Sequence, residues 1–180
     1  MVDLFPGLEP CDEKSVSPMQ FDWELDFEKE PNALACAYWT SCCAGRPMPR
    51  RADLDPVAMR RFSGHIGLVE VRPTAEGVDY FIRRAGSRWE DVYGPMTGRY
   101  LHEFLPPHLI PSWREVFGTV RAARRPLGVK TRVDFQCKRW LSIEILVAPL
   151  GEGGEVTMLF VSFVAWTDAG LSPANRALSL

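Results

Sequence analysis

Three histidines, at 65, 102 and 108, are the side chains in this 180-residue chain best suited to moving protons near neutral pH. As a general base, one of them would need a nucleophile within hydrogen-bond reach and a carboxylate to orient its ring. His65 follows Ser63 closely and His102 directly precedes Glu103, and neither spacing makes a triad. Adjacent residues on a helix point in different directions, which disfavours His102 and Glu103 as an acid and base pair. His65 is expected to be a structural imidazole bonded to backbone, and no catalytic residue is assigned.

Cys11, Cys36, Cys42, Cys43 and Cys137 form an odd set in a chain without a basic and then apolar opening stretch. That usage suits a reducing, cytoplasmic compartment better than a disulfide framework. A zinc site would need spaced ligands such as C-x-x-C, so Cys36, Cys42 and Cys43 read as small buried hydrophobes and no metal is expected. Arg46-x-x-x-Arg50 matches half of a motif that clamps cyclic dinucleotides bidentately, and the second half is missing. No glycine-rich phosphate loop occurs. A net charge of −2 with 24% charged residues argues against nucleic acid as a partner, and no apolar run reaches the length of a membrane span.

Aromatic residues are the stronger lead. Trp89, Tyr93, Phe104, Trp113 and Phe117 fall on segments that would cover a sheet, and Trp140 falls in a strand. A cavity between those layers would take a small, largely apolar ligand, oriented by polar groups such as Arg84, Ser87 or His102.

The elements that must position these residues follow from periodicity. Residues 1–30 are acidic, with Asp12, Glu13, Asp22, Glu24, Asp26, Glu28 and Glu30 against two lysines, and read as a loosely attached extension. Within it Phe21, Trp23, Leu25 and Phe27 alternate with acids, so a short strand there could join a sheet edge. Residues 31–63 read as a helical segment: Pro31 opens a helix with Leu34, Ala37, Tyr38 and Ser41 on one face, Gly45 stops it, and Asp55-Pro56 starts a second, shorter helix.

Ile66–Val71 and Val78–Arg84 read as a β-hairpin. Ser87 with Glu90 has capping-box spacing for a short helix that Gly94 ends. Leu109, Trp113, Val116, Phe117 and Val120 mark a longer helix. Three strands follow, over 129–135, 140–147 and 156–165, with turn chemistry at Gly151–Gly154, and residues 167–180 read as a flexible tail.

Several short signatures lie along this order. They are Tyr38-Trp39, Gly45-Arg46-Pro47-Met48-Pro49 and Arg51-Ala52-Asp53-Leu54-Asp55-Pro56, then Gly64-His65-Ile66-Gly67-Leu68-Val69-Glu70-Val71, Tyr80-Phe81-Ile82-Arg83-Arg84-Ala85-Gly86-Ser87-Arg88 and Gly94-Pro95-Met96-Thr97-Gly98-Arg99. Together they resemble PAS_5, a PAS-like family of sensory domains common in alphaproteobacteria, across 34–165. The resemblance implies an α+β fold: a five-stranded antiparallel sheet over 64–166, with its first strand central, helices on one face and an N-terminal helical extension.

It also implies a non-enzymatic, stand-alone sensory module acting in trans on a signalling protein. Leu34, Tyr38, Trp39 and the exposed sheet face are then the surfaces for a homodimer or partner. Some PAS domains hold haem through a histidine near the positions of His102 and His108, whereas the Asn-Cys-Arg setting of flavin-binding relatives is absent; the cofactor is left open. A ligand-free adaptor is the main alternative, and a small-molecule enzyme of a cone-like α+β fold is disfavoured because two strands precede the long helix.

Overall fold

The alternating apolar segments become strands β1 (Gln20–Asp22), β2 (Ile66–Thr74), β3 (Gly77–Arg84), β4 (Arg99–Tyr100), β5 (Leu127–Arg132), β6 (Leu141–Glu152) and β7 (Glu155–Thr167). The helices are α1 (Glu30–Cys43), α2 (Ser87–Tyr93) and α3 (Ile110–Ala123), with 3-10 segments at Arg51–Asp53, Ala58–His65 and Leu101–Glu103. This is a computed structural model, and it describes residues 16–136, 138 and 141–167. Residues 1–15 and the expected tail from 168 onward lie outside the described residues, as do Cys11, Cys137 and Trp140. No helix among the described residues is long and apolar enough to cross a membrane.

Among the described residues all seven strands join one antiparallel sheet in the order β1-β5-β6-β7-β2-β3-β4. The α+β architecture is as expected, with two short strands added to the five. β1 pairs with β5 through Phe21 and Val129, tying the acidic segment to the sheet edge, and β4 adds two residues beside β3. β2 is interior, between β3 and β7, but the middle place belongs to β7 rather than to the first strand of the hairpin. The β6–β7 hairpin turns on Gly153 and Gly154, whose φ values of 61° and 83° suit the two-residue loop between Glu152 and Glu155.

Successive side chains of a strand face opposite ways, so β6 presents Ile143, Ile145 and Val147 on one side and Glu144, Leu146 and Ala148 on the other. On the first side α3 packs over β6 and α2 over its neighbour β7; on the second α1 packs over both strands, with the 3-10 segment Ala58–His65 against it. The helices therefore cover both faces, not one, and the outer face expected to be open is covered by α1 over β6 and β7.

α3 buries Trp113, Val116, Phe117 and Val120 along one stripe, each large side chain contributing about 1.5–3 kcal/mol of transfer free energy. α1 buries Asn32, Ala35 and Trp39 instead of the face through Leu34, Ala37, Tyr38 and Ser41, because Asn32 and Trp39 find hydrogen-bond partners on β6. The capping box at Ser87 does not form. Gly86 is the N-cap, and the Glu90 carboxylate instead accepts from the Thr97 hydroxyl at 3.1 Å.

Candidate functional site

α2 is delivered to the sheet by two backbone approaches. Gly86 packs against the carbonyl of Gly64, and Gly67 on β2 leaves room for the Trp89 indole, where a Cβ would stand 3.1 Å from the ring. The indole N–H donates to the His65 carbonyl at 3.0 Å, and its ring meets Phe163 at 5.4 Å between centroids. One turn on, Tyr93 packs on Trp113, Phe135 and Phe163. Burial pushes the Tyr93 phenol up, and the nearby Asp134 charge adds to this, so it stays neutral. Phe117 stands edge-on to Tyr80 at 5.1 Å.

These rings enclose a cavity of about 10 Å³ lined by Ile82, Trp89, Tyr93, Met96, Leu101, Phe104, Leu105, Trp113 and Phe117. That is room for roughly one water, in a lining of apolar side chains. Five of the sequence-derived candidates, Trp89, Tyr93, Phe104, Trp113 and Phe117, thus meet at one site. Met96, Leu101 and Leu105 complete it, and only their position between the two helices could have signalled this.

The polar candidates do not face the cavity. Arg84 and Ser87 are exposed. His102 sits on the 3-10 turn with its ring stacked on Tyr100 and Nδ1 3.4 Å from the Asp79 carboxylate. Glu103 turns back to accept the Tyr100 N–H, so the two do not form an acid and base pair. His65 bonds to backbone as expected, its Nδ1 2.9 Å from the Phe163 carbonyl.

Neither His102 nor His108 lines the cavity, and about 10 Å³ is far too little for a porphyrin, so haem does not fit here. Among the described residues no group of three His, Cys, Asp or Glu is placed to hold a metal ion. Cys36, Cys42 and Cys43 are half-buried free thiols, and burial pushes those of Cys36 and Cys43 up, away from thiolate chemistry.

The proposed contact residues on α1 differ in fate. Trp39 is buried against its own sheet, donating to the Pro149 carbonyl at 2.9 Å, so it is not a surface for a second protein. The Tyr38 hydroxyl accepts the Asp55 N–H at 2.6 Å, and its ring lies against Phe62 and Phe160. Leu34 alone of the three is exposed.

No curated protein matches the chain. A solved structure described as an RNA-binding light-oxygen-voltage receptor is similar at a TM-score of 0.41 and 18% identity over 73% of this chain. The match spans 40% of that protein's length. The profile of the PAS domain family PAS_5 matches residues 27–163, from just before α1 into β7, and the chain belongs to that family.

Proposed function

We propose that this PAS domain is a sensory or regulatory module that biases a signalling protein in trans, its input being a small apolar ligand in the aromatic cavity. The observation that carries this reading is the cavity's construction. Its walls come from β3, α2, the 3-10 turn at Leu101–Glu103 and α3, so widening it moves four elements at once. A ligand that favours the widened state by about 1.4 kcal/mol shifts the balance tenfold, which is enough for a switch. Homodimerisation through the outward side of α1 around Leu34 belongs to the same proposal, as does a reducing cytoplasmic setting suited to the free thiols of α1. Nucleic acid is left out because the net charge is −2.

One specific observation favours a second reading. At about 10 Å³ the cavity is nearly filled by its own side chains, as in a ligand-free adaptor that works only through protein contacts. Native mass spectrometry of protein from a bacterial host separates the two. Extra mass lost on denaturation supports the sensor, and its size gives the ligand class; a doubled mass reports the dimer. A clean monomer or dimer mass overturns the ligand reading and leaves the adaptor.

A further inference from the structure

The charge of this chain is unevenly spread. Residues 1–30 hold nine acids against Lys14 and Lys29, a net of −7, while the other 150 residues hold 19 bases against 14 acids, a net of +5. Folding fixes part of each excess at opposite sides of the sheet.

The acidic side is the segment that enters through β1. The Asp22 carboxylate accepts the Glu24 N–H at 2.9 Å and the Asp26 N–H at 2.8 Å. Glu28 pairs with Lys130, and the Arg125 guanidinium lies 4.6 Å over the Trp23 ring. Glu24, Asp26 and Glu30 stay exposed, with no ion pair among the described residues, and half-buried Trp23 and Leu25 lie between the first two acids and beside them. This segment cannot turn back onto its own molecule, because β1 is paired with β5 and the Glu28 and Lys29 N–H groups are held by Glu144.

The basic side is built around one close backbone contact. Gly86 packs on Gly64, and Arg88 Cγ stands 3.8 Å from where a Cβ of Gly64 would lie. Arg61 comes three residues before Gly64 and Arg84 two before Gly86, so Arg60, Arg61, Arg84 and Arg88 share that corner, all of them exposed. Among the described residues only Arg88 has an acidic partner there, Asp91 at 3.9 Å. Val57, one turn before Arg60, is 74% exposed. Four like charges around an apolar side chain repel one another until an anionic surface covers them. Arg84 ends β3, five strands from β1 in the sheet, a span of about 24 Å at the usual strand spacing.

We propose that the arginine corner of one copy docks on the acidic edge of a second copy, head to tail, with Arg60 and Arg61 facing Glu24 and Asp26. The occupant is a second copy because the chain carries both complementary surfaces and holds them too far apart to meet within one molecule. The contact is heterologous, so each copy keeps one surface of each sign for the next. It uses neither the cavity nor Leu34 and goes beyond the sensory reading.

Sedimentation velocity on the full chain tests it. At about 10 mM salt, where charges act over about 30 Å, the average mass should rise with concentration; at about 1 M, where that reach falls to about 3 Å, the rise should vanish. Arg60→Glu with Arg61→Glu, or Glu24→Lys with Asp26→Lys, should each weaken the association about tenfold, and an equal mixture of the two double variants should regain it. Arg50→Glu with Arg51→Glu makes the same charge change beside Gly151, at the other end of the strands, and should associate as the wild type does. A monomer at every salt concentration overturns the proposal, as does an equal loss in the Arg50 and Arg51 variant or a mixture that stays apart. Association that salt leaves untouched also overturns it, and points to the apolar contact at Leu34 instead.

Discussion

The Trp89 indole lies flat enough on β2 that a methyl group at Gly67 would come within 3.1 Å of two of its ring carbons and 3.3 Å of the Arg84 carbonyl. Since Trp89 is held by the His65 carbonyl and by Phe163, the ring has no free direction in which to yield. Gly67→Ala should therefore destabilise the fold by about 1–3 kcal/mol through overpacking. Urea unfolding measures it; a midpoint equal to that of the wild type would show that the indole can shift at no cost.

How much of this was readable in the chain depends on the range of the interaction. The hairpin of β2 and β3 and the stripe of α3 follow from local period, and both stand where periodicity puts them. The buried face of α1 does not, because its polar member, Asn32, is paid for by Glu144 on a strand far away in sequence. The aromatic lining was legible because its five residues sit on elements that had to cover the sheet. His102 was misplaced as a pocket residue because it rides a 3-10 turn that faces it outward to Asp79. Ser87 and Glu90 have cap spacing, yet Glu90 is taken by Thr97 across the following loop, a contact no local pattern encodes.

Phe104 is the half-buried member of the cavity wall and so the one whose loss joins the cavity to solvent. Phe104→Ala should cost about 2–3 kcal/mol, less than a fully buried phenylalanine, and create a site for a small flat apolar molecule. Indole added to the variant should raise its melting temperature and leave the wild type unchanged. A variant that indole does not stabilise would mean that Met96 and Leu105 collapse into the gap.

Tyr38 titrates late. Burial, followed by its hydrogen bond with Cys42, raises the phenol to about 12, above the usual value near 10. A proton held more tightly in the folded state stabilises it fully below the unfolded pKa, and that contribution fades as pH rises from about 10 through 12. Tyr38→Phe should lose about 1 kcal/mol at neutral pH, from the contact with Asp55, and should remove this alkaline decline. An identical decline in variant and wild type between pH 10 and 12 would place its origin elsewhere.

Glu28 and Lys130 fasten the segment before α1 to β5, with Nζ 2.9 Å from the carboxylate. The hydrogen bond from Lys130 holds the Glu28 carboxyl below the usual range of about 4.3. A depressed carboxylate pKa stabilises the fold above the unfolded value, and the effect is lost as pH falls through the folded one. Glu28→Gln should therefore unfold at lower urea than the wild type at pH 7, with the gap closing as pH falls below the usual carboxylate range and shrinking in high salt because the carboxylate is exposed. Midpoints taken along that pH series decide the matter: a gap that persists undiminished in acid would mean that the glutamine is disfavoured for its shape, and that the ion pair with Lys130 contributes nothing to holding α1 in place.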